Sequence, residues 1–151
     1  MTTPAPTVDG RVIGLAHYAG RAVLESVVDQ YDLSFQHLVT LRLVAVSDAP
    51  VERDAVVGQV ADSLKVGAAE VHGVVEELTA RRLVTAEGPK LLATDAGREL
   101  YATASAETSK ISARIYAGVP AADLAAAGRV LALVTERANA ELTALAGERP
   151  K

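Results

Sequence analysis

Val60-Ala61-Asp62-Ser63-Leu64-Lys65-Val66-Gly67-Ala68-Ala69-Glu70-Val71-His72-Gly73-Val74-Val75-Glu76-Glu77-Leu78 contains two helical patterns separated by a very short break. Val57, Val60, Ala61 and Leu64 share one face of a helix predicted over 54–64. Val71, Val74, Val75 and Leu78 share one face of a second helix, predicted over 68–81. Lys65-Val66-Gly67 leaves room only for a tight turn, so the two apolar faces must meet across it. Two helices joined this closely, with a glycine in the turn, are the sequence pattern of a helix-turn-helix.

Downstream of this pair, Leu83-Val84-Thr85-Ala86 and Lys90-Leu91-Leu92-Ala93 are short β-capable runs about Glu87-Gly88-Pro89, the pattern of a small hairpin. Thr94-Asp95 supplies a cap and an acidic first turn for a helix over 95–117, which Gly118 closes. Pro120 then opens a last helix running to about 146. Upstream, Ser47-Asp48-Ala49-Pro50 is a connector. Before it, Ser34 caps a helix reaching about Val46, with Leu38, Leu41, Val44 and Ala45 as its stripe. A long amphipathic helix over 11–30 carries Val12, Leu15, Ala16, Ala19, Val23 and Val27, and Tyr31-Asp32 breaks it. Residues 1–10 read as a disordered arm. The expected fold is all-α with a small β-hairpin wing. In a single domain over 11–151, a winged helix-turn-helix reading head (33–94) lies between dimerisation helices (11–30 and 95–147).

Half of the 151 residues are hydrophobic but only 3% are aromatic, so the core must be built from Ala, Val and Leu. Each of these contributes modest buried area, which favours association with a second copy of the chain. The formal net charge is −4, without the overall basic character usual in nucleic-acid binders. Cysteine is absent, which excludes disulfides, thiolate metal sites and thiol redox chemistry within this sequence. His17, His37 and His72 fall on different predicted helices without metal-ligand spacing. No glycine-rich phosphate loop or nucleophile elbow is present, so the expectation is a non-enzyme without cofactor or metal. The first ten residues lack a signal-peptide pattern, and the apolar stretch over 119–134 is interrupted by Asp123 and Arg129. A soluble, cytoplasmic protein without a membrane partner is expected.

The order of elements and four local segments resemble the MarR family of bacterial transcription regulators. Leu33-Ser34-Phe35-Gln36-His37 is similar to the start of the family's second helix. Val60-Ala61-Asp62-Ser63-Leu64-Lys65-Val66 is similar to its "Leu-Ala-x-x-Leu-Gly-Val" helix-turn segment. Val74-Val75-Glu76-Glu77-Leu78-Thr79-Ala80-Arg81-Arg82-Leu83-Val84 is similar to the close of its recognition helix. Leu92-Ala93-Thr94-Asp95-Ala96-Gly97-Arg98 is similar to the "Leu-Thr-x-x-Gly-Arg" that follows its wing. The resemblance spans nearly all of the chain after residue 10. It implies a homodimer that binds a pseudo-palindromic double-stranded operator, with half-sites about one DNA turn (roughly 10 bp) apart. It also implies control by a small aromatic or phenolic ligand held between the dimerisation helices and the reading head.

By that resemblance, Lys65, Gly67, Ala68, Ala69, Glu70, His72, Gly73 and Lys90 occupy the DNA-facing positions, and His17, Tyr18, Arg21 and Tyr116 are ligand candidates. The sequence departs from the family where DNA is read. Ser, Thr and Arg donors give way to Gly67-Ala68-Ala69-Glu70-Val71-His72-Gly73, and the wing is clipped to Glu87-Gly88-Pro89-Lys90. Arg82 stands where the family has Gly, which requires either a left-handed Arg82 or a shifted turn. From Val60 to Leu92, four cations (Lys65, Arg81, Arg82, Lys90) face five carboxylates. Phosphate neutralisation supplies much of the affinity for duplex DNA. The alternative is therefore a dimer of the same fold with weakened or lost DNA readout, serving as a small-molecule or protein-binding module.

Overall fold

The structure, a computed structural model, describes residues 4–148. In chain order these form α1 (Gly10–Val28), α2 (Phe35–Ala45), β1 (Val51–Glu52), α3 (Arg53–Leu64), α4 (Ala68–Ala80), β2 (Val84–Glu87), β3 (Lys90–Ala93), α5 (Asp95–Tyr116) and α6 (Ala121–Glu148). All six expected helices are present, in the expected order. Of the arm expected over 1–10, residues 1–3 lie outside the described residues. Residues 4–8 are exposed without regular structure, and Asp9 caps α1 by accepting from Val12 N–H at 2.9 Å.

Three helical segments end in the same hydrogen-bonded motif, each time without glycine. Asp32, Lys65 and Arg82 take left-handed backbone with φ of 56°, 56° and 60°. The next residue in each case returns its N–H to a carbonyl five positions back: Leu33 to Val28, Val66 to Ala61, and Leu83 to Leu78. Left-handed backbone costs an L-residue about 1–2 kcal/mol. Burial of the following apolar side chain offsets that cost, since Leu33 and Leu83 enter the core and Val66 packs against it. Arg82 thus takes the left-handed option, and the turn does not shift.

This ending changes the expected wing. Because Leu83 N–H is bonded back to α4, β2 begins at Val84 and not at Leu83. The hairpin pairs Val84 with Ala93 and Glu87 with Lys90, around a loop in which Gly88 takes φ of 60°. A third strand, β1, pairs antiparallel with β3, placing Val51 opposite Leu91 in the order β1-β3-β2. The expected hairpin is therefore part of a three-stranded sheet. Two residues after Pro50 show no strand periodicity of their own, and only the partner strand reveals them.

The junction of α4, the wing and α5 is tightly made. Leu83 C=O accepts from Thr94 N–H at 3.1 Å. Thr94 Oγ1 donates to Arg82 C=O at 2.7 Å and accepts from Gly97 N–H at 3.0 Å, capping α5. Gly97 lies directly against the Leu83 peptide, where a Cβ would overlap its carbonyl oxygen and sit 2.9 Å from its carbonyl carbon. Arg98 reaches the end of α2, donating to Ala45 C=O and Ser47 C=O at 3.3 Å each. These satisfy carbonyls that a helix terminus otherwise leaves free.

The described residues fall into two compact units, one ending at Ile111 and the other beginning at Ser112. The first holds the core, in which Leu41 and Val44 of α2, Val57 and Val60 of α3, Val71, Val75 and Leu78 of α4, and Val84 and Leu91 of the sheet are buried. Val56 joins them, although it lies outside the stripe expected for α3. On α1 only Val27 and Val28 are buried, and the expected stripe at Leu15, Ala16, Ala19 and Val23 is exposed. In the second unit every residue of α6 is exposed, including Leu124, Leu131, Val134, Leu142 and Leu145.

Gly97→Ala should destabilise the protein by about 3 kcal/mol or more, because backbone cannot give way as a flexible side chain can. A urea melt reads this directly. An unchanged midpoint would mean that α5 leaves the wing at no cost.

Candidate nucleic-acid interface

The apolar face of α4 (Val71, Val74, Val75, Leu78) is buried, so the opposite face is turned outward. Its first two turns present Ala68, Ala69 and Glu70 exposed, with His72 and Gly73 partly covered. Gly67 provides the N-cap without a side-chain hydrogen bond, which leaves N–H groups at this end of the helix open to an acceptor. Glu70 is the acidic residue of the first turn, where a carboxylate favours the helix but opposes a phosphate.

The cations of the head differ in what already holds them. Lys65 lies 3.5 Å from Asp62, and Lys90 lies 4.0 Å from Glu52. Both pairs are at the surface, where such contacts contribute at most about 1 kcal/mol. A phosphate can therefore displace either carboxylate. Arg81 is different: its guanidinium donates to Asp32 C=O at 2.6 Å and to Tyr31 C=O at 2.9 Å, tying the end of α4 to the turn before α2. Arg82 enters no ion pair among the described residues. Of the four cations counted in the sequence, Arg81 alone is held by backbone carbonyls among the described residues.

Two further contacts steady the head. His37 stands at the third position of α2 and completes a capping box with Ser34, Nδ1 accepting from Ser34 N–H at 3.0 Å. Its Nε2 then donates to Glu77 on α4 at 2.5 Å. Tyr31 donates its hydroxyl to Glu107 on α5 at 2.8 Å. That hydrogen bond, with burial and the carboxylate charge behind it, raises the phenol above its ordinary pKa.

His72 has a partner on another helix. Arg53, at the start of α3, donates from Nε to His72 Nδ1 at 3.2 Å and lies 4.0 Å from Glu76. Arg53 was missed in the sequence because it belongs to none of the family-like segments, and its partner is on another helix. Val51, Glu52 and Arg53 carry no signal of their proximity to α4.

The ligand candidates separate. His17 and Arg21 line a cavity of about 160 Å³ with Phe35 and Gln36 of α2 and Ser63, Leu64 and Val66 at the helix-turn-helix bend. Arg21 sits over the Phe35 ring, 4.7 Å from its centroid, and pairs with Glu25 at 2.5 Å. Tyr18 is exposed beside His17, with ring centroids 5.9 Å apart, and does not line the cavity. Tyr116 belongs to the second unit and is exposed there. A wider depression of about 460 Å³ near the end of α1 is lined by Glu25 and Asp29, which makes it unsuited to an anion. Among the described residues there is no group of three or more His, Asp or Glu able to hold a metal ion, and no single helix is long and apolar enough to cross a membrane.

No protein-family model matches the sequence, and no curated protein matches it. Solved structures do match the fold. CouR from Rhodococcus jostii RHA1 bound to p-coumaroyl-CoA superposes with a TM-score of 0.69 at 20% identity, covering 81% of this chain and 87% of CouR. The MarR-family protein Rv2887 of Mycobacterium tuberculosis in complex with DNA gives 0.65 at 20% identity, covering 87% and 98%. The transcriptional regulator PA3341 gives 0.71 at 18% identity, covering 86% and 97%. The chain therefore has the winged helix-turn-helix fold of MarR-family transcriptional regulators, at a sequence distance where the fold alone is shared. Of these neighbours, PA3341 is described as a transcriptional regulator and Rv2887 as a MarR-family protein.

Arg81→Ala should destabilise the protein by about 1–2 kcal/mol through loss of two charge-assisted hydrogen bonds. It should leave the salt dependence of any DNA binding unchanged. Chemical denaturation and duplex titrations at several salt concentrations check the two halves. A reduced salt slope with unaltered stability would place Arg81 on phosphate instead.

Proposed function

We propose that this chain is a homodimeric DNA-binding transcriptional regulator, in which α4 addresses one half-site of a pseudo-palindromic operator and a small ligand sets the affinity. The single observation that carries this reading is the outward face of α4, presented by a complete helix-turn-helix with a wing beside it. The functional domain is 11–151, with 33–94 as reading head and 11–30 and 95–147 as dimerisation helices. Lys65 and Lys90 contact phosphate. Gly67, Ala68, Ala69 and Gly73 let the groove approach α4 closely, while Glu70 and His72 meet base edges. The DNA complex of Rv2887 supports the use of this fold on duplex DNA.

A second copy of the chain accounts for α6. Leu124, Leu131, Val134, Ala138, Leu142 and Leu145 recur at spacings of three, four and seven, and all are exposed in the single chain. An apolar stripe of this kind is stable in water only when covered. Two-fold pairing of such helices is the simplest cover.

The ligand site is the cavity of His17, Arg21 and Phe35. Arg21 supplies a cation for a carboxylate or phenolate, and Phe35 supplies an aromatic face. At about 160 Å³ the cavity is smaller than the roughly 300–1,000 Å³ typical of ligand clefts, so in this conformation it accepts no more than a small ring. The ligand acts by differential affinity for arrangements with different spacing of the two reading heads. Tyr18 and Tyr116 are ligand candidates by the family resemblance alone.

The second reading is a dimer of this fold that binds a ligand or protein without reading DNA. It is favoured by Arg81 being tied to backbone carbonyls and by Glu70 at the front of α4. Fluorescence anisotropy with the chain's own upstream promoter DNA, at two salt concentrations, separates the readings. The regulator should saturate at sub-micromolar protein and weaken steeply as salt rises. Binding no tighter than to an unrelated duplex at low salt would favour the module.

Leu131→Glu places a charge in the α6 stripe and should halve the mass found by analytical ultracentrifugation, from about twice 15.7 kDa to one chain. A wild-type chain that sediments as a monomer would sink the dimer.

A further inference from the structure

Arg53 lies outside every segment that marks the reading head, yet its side chain reaches α4. Its Nε donates to His72 Nδ1 at 3.2 Å, and its Nη2 lies 4.0 Å from Glu76, one helical turn beyond His72. Its backbone N–H donates to Pro89 C=O in the wing turn at 3.0 Å, so the residue is fixed at both ends. An imidazole nitrogen that accepts a hydrogen bond carries no proton. Neutral His72 therefore holds its proton on Nε2. That nitrogen is bonded to no described residue, and it is not among the buried unpaired atoms, so it is open to an acceptor from outside. Around it, the first two turns of α4 offer methyl groups at Ala68 and Ala69, an acceptor at Glu70 and bare backbone at Gly73. His72 Nε2–H is the one side-chain donor of this face.

A donor entering the major groove finds its best pair of acceptors on guanine, where O6 and N7 lie side by side. We propose that Arg53 is a positioning residue for base readout: it holds His72 as the Nε2–H tautomer, and His72 then donates to guanine O6 or N7. This rests on α4 being the helix that enters DNA. Arg53 itself touches no base. Were it a phosphate contact, it would strengthen binding to every sequence alike.

Selection from a pool of randomised duplexes with the full chain tests the proposal. The wild type should select guanine at one position of each half-site. His72→Ala and Arg53→Met should each lose roughly tenfold discrimination at that position while keeping their affinity for unrelated duplexes and their salt slope. The double variant should be no worse than either single one, because both remove the same contact. His72→Gln should move the preference towards adenine, which an amide recognises through N6 and N7. Imidazole ¹⁵N shifts of the free protein should report the Nε2–H tautomer in the wild type and a mixture in Arg53→Met. A dominant Nδ1–H tautomer in the wild type overturns the proposal whatever the DNA results. So does an Arg53→Met variant that weakens all duplexes equally with a salt slope lower by about one. If the wild type selects a site and His72→Ala selects the same one, only this inference fails. If the wild type selects no sequence, the DNA-binding reading fails with it.

Discussion

The contact on which the structure turns is the seating of Gly97 against the Leu83 peptide. Leu83 closes the end of α4 through its N–H, accepts from Thr94 through its carbonyl, and buries its side chain in the core. The close approach at Gly97 then brings α5 onto the same peptide. The end of α4, the wing and α5 therefore meet at one residue. A side chain at position 97 would separate all three. Arg98 extends the junction by satisfying the last carbonyls of α2, so the same turn of α5 also secures the helix in front of the head.

Around that junction the polar residues divide into those that hold the frame and those left to meet a partner. Arg81, His37, Thr94 and Arg98 have internal partners, several of them backbone carbonyls. Lys65 and Lys90 have only surface carboxylates, which compete weakly with phosphate. The family-like segments of the sequence thus correspond largely to frame, and the segment that departs from the family corresponds to the exposed front of α4. The chain superposes on its structural neighbours at about 20% identity, so the fold is kept although most residues differ.

Most of the architecture was legible from periodicity and punctuation. The α4 stripe is buried, as are Leu38, Leu41 and Val44 of the α2 stripe, while Ala45 is half-buried; Ser34 is the cap expected of it, and Gly118 ends α5 in left-handed backbone at φ of 79°. The sequence is silent where an element depends on a distant partner. β1 exists because β3 lies beside it, and the start of β2 moved by one residue because Leu83 was already bonded to α4. The stripe of α1 was correctly apolar, but most of it is exposed within one chain. Periodicity shows that a face is apolar and is silent on what covers it.

The site divides in the same way. By itself the sequence determined the helix-turn-helix, the absence of Ser, Thr and Arg from the first two turns of α4, and the deficit of cations in the head, because these follow from residue type and spacing along one chain. Only the tertiary structure decided that Arg81 faces two carbonyls, that Arg53 grips His72, and that His17 and Arg21 share a cavity with Phe35 while Tyr18 does not. The reason is physical. A helix sets which residues share a face, but a hydrogen bond between helices depends on their crossing, which the packing of the apolar faces fixes.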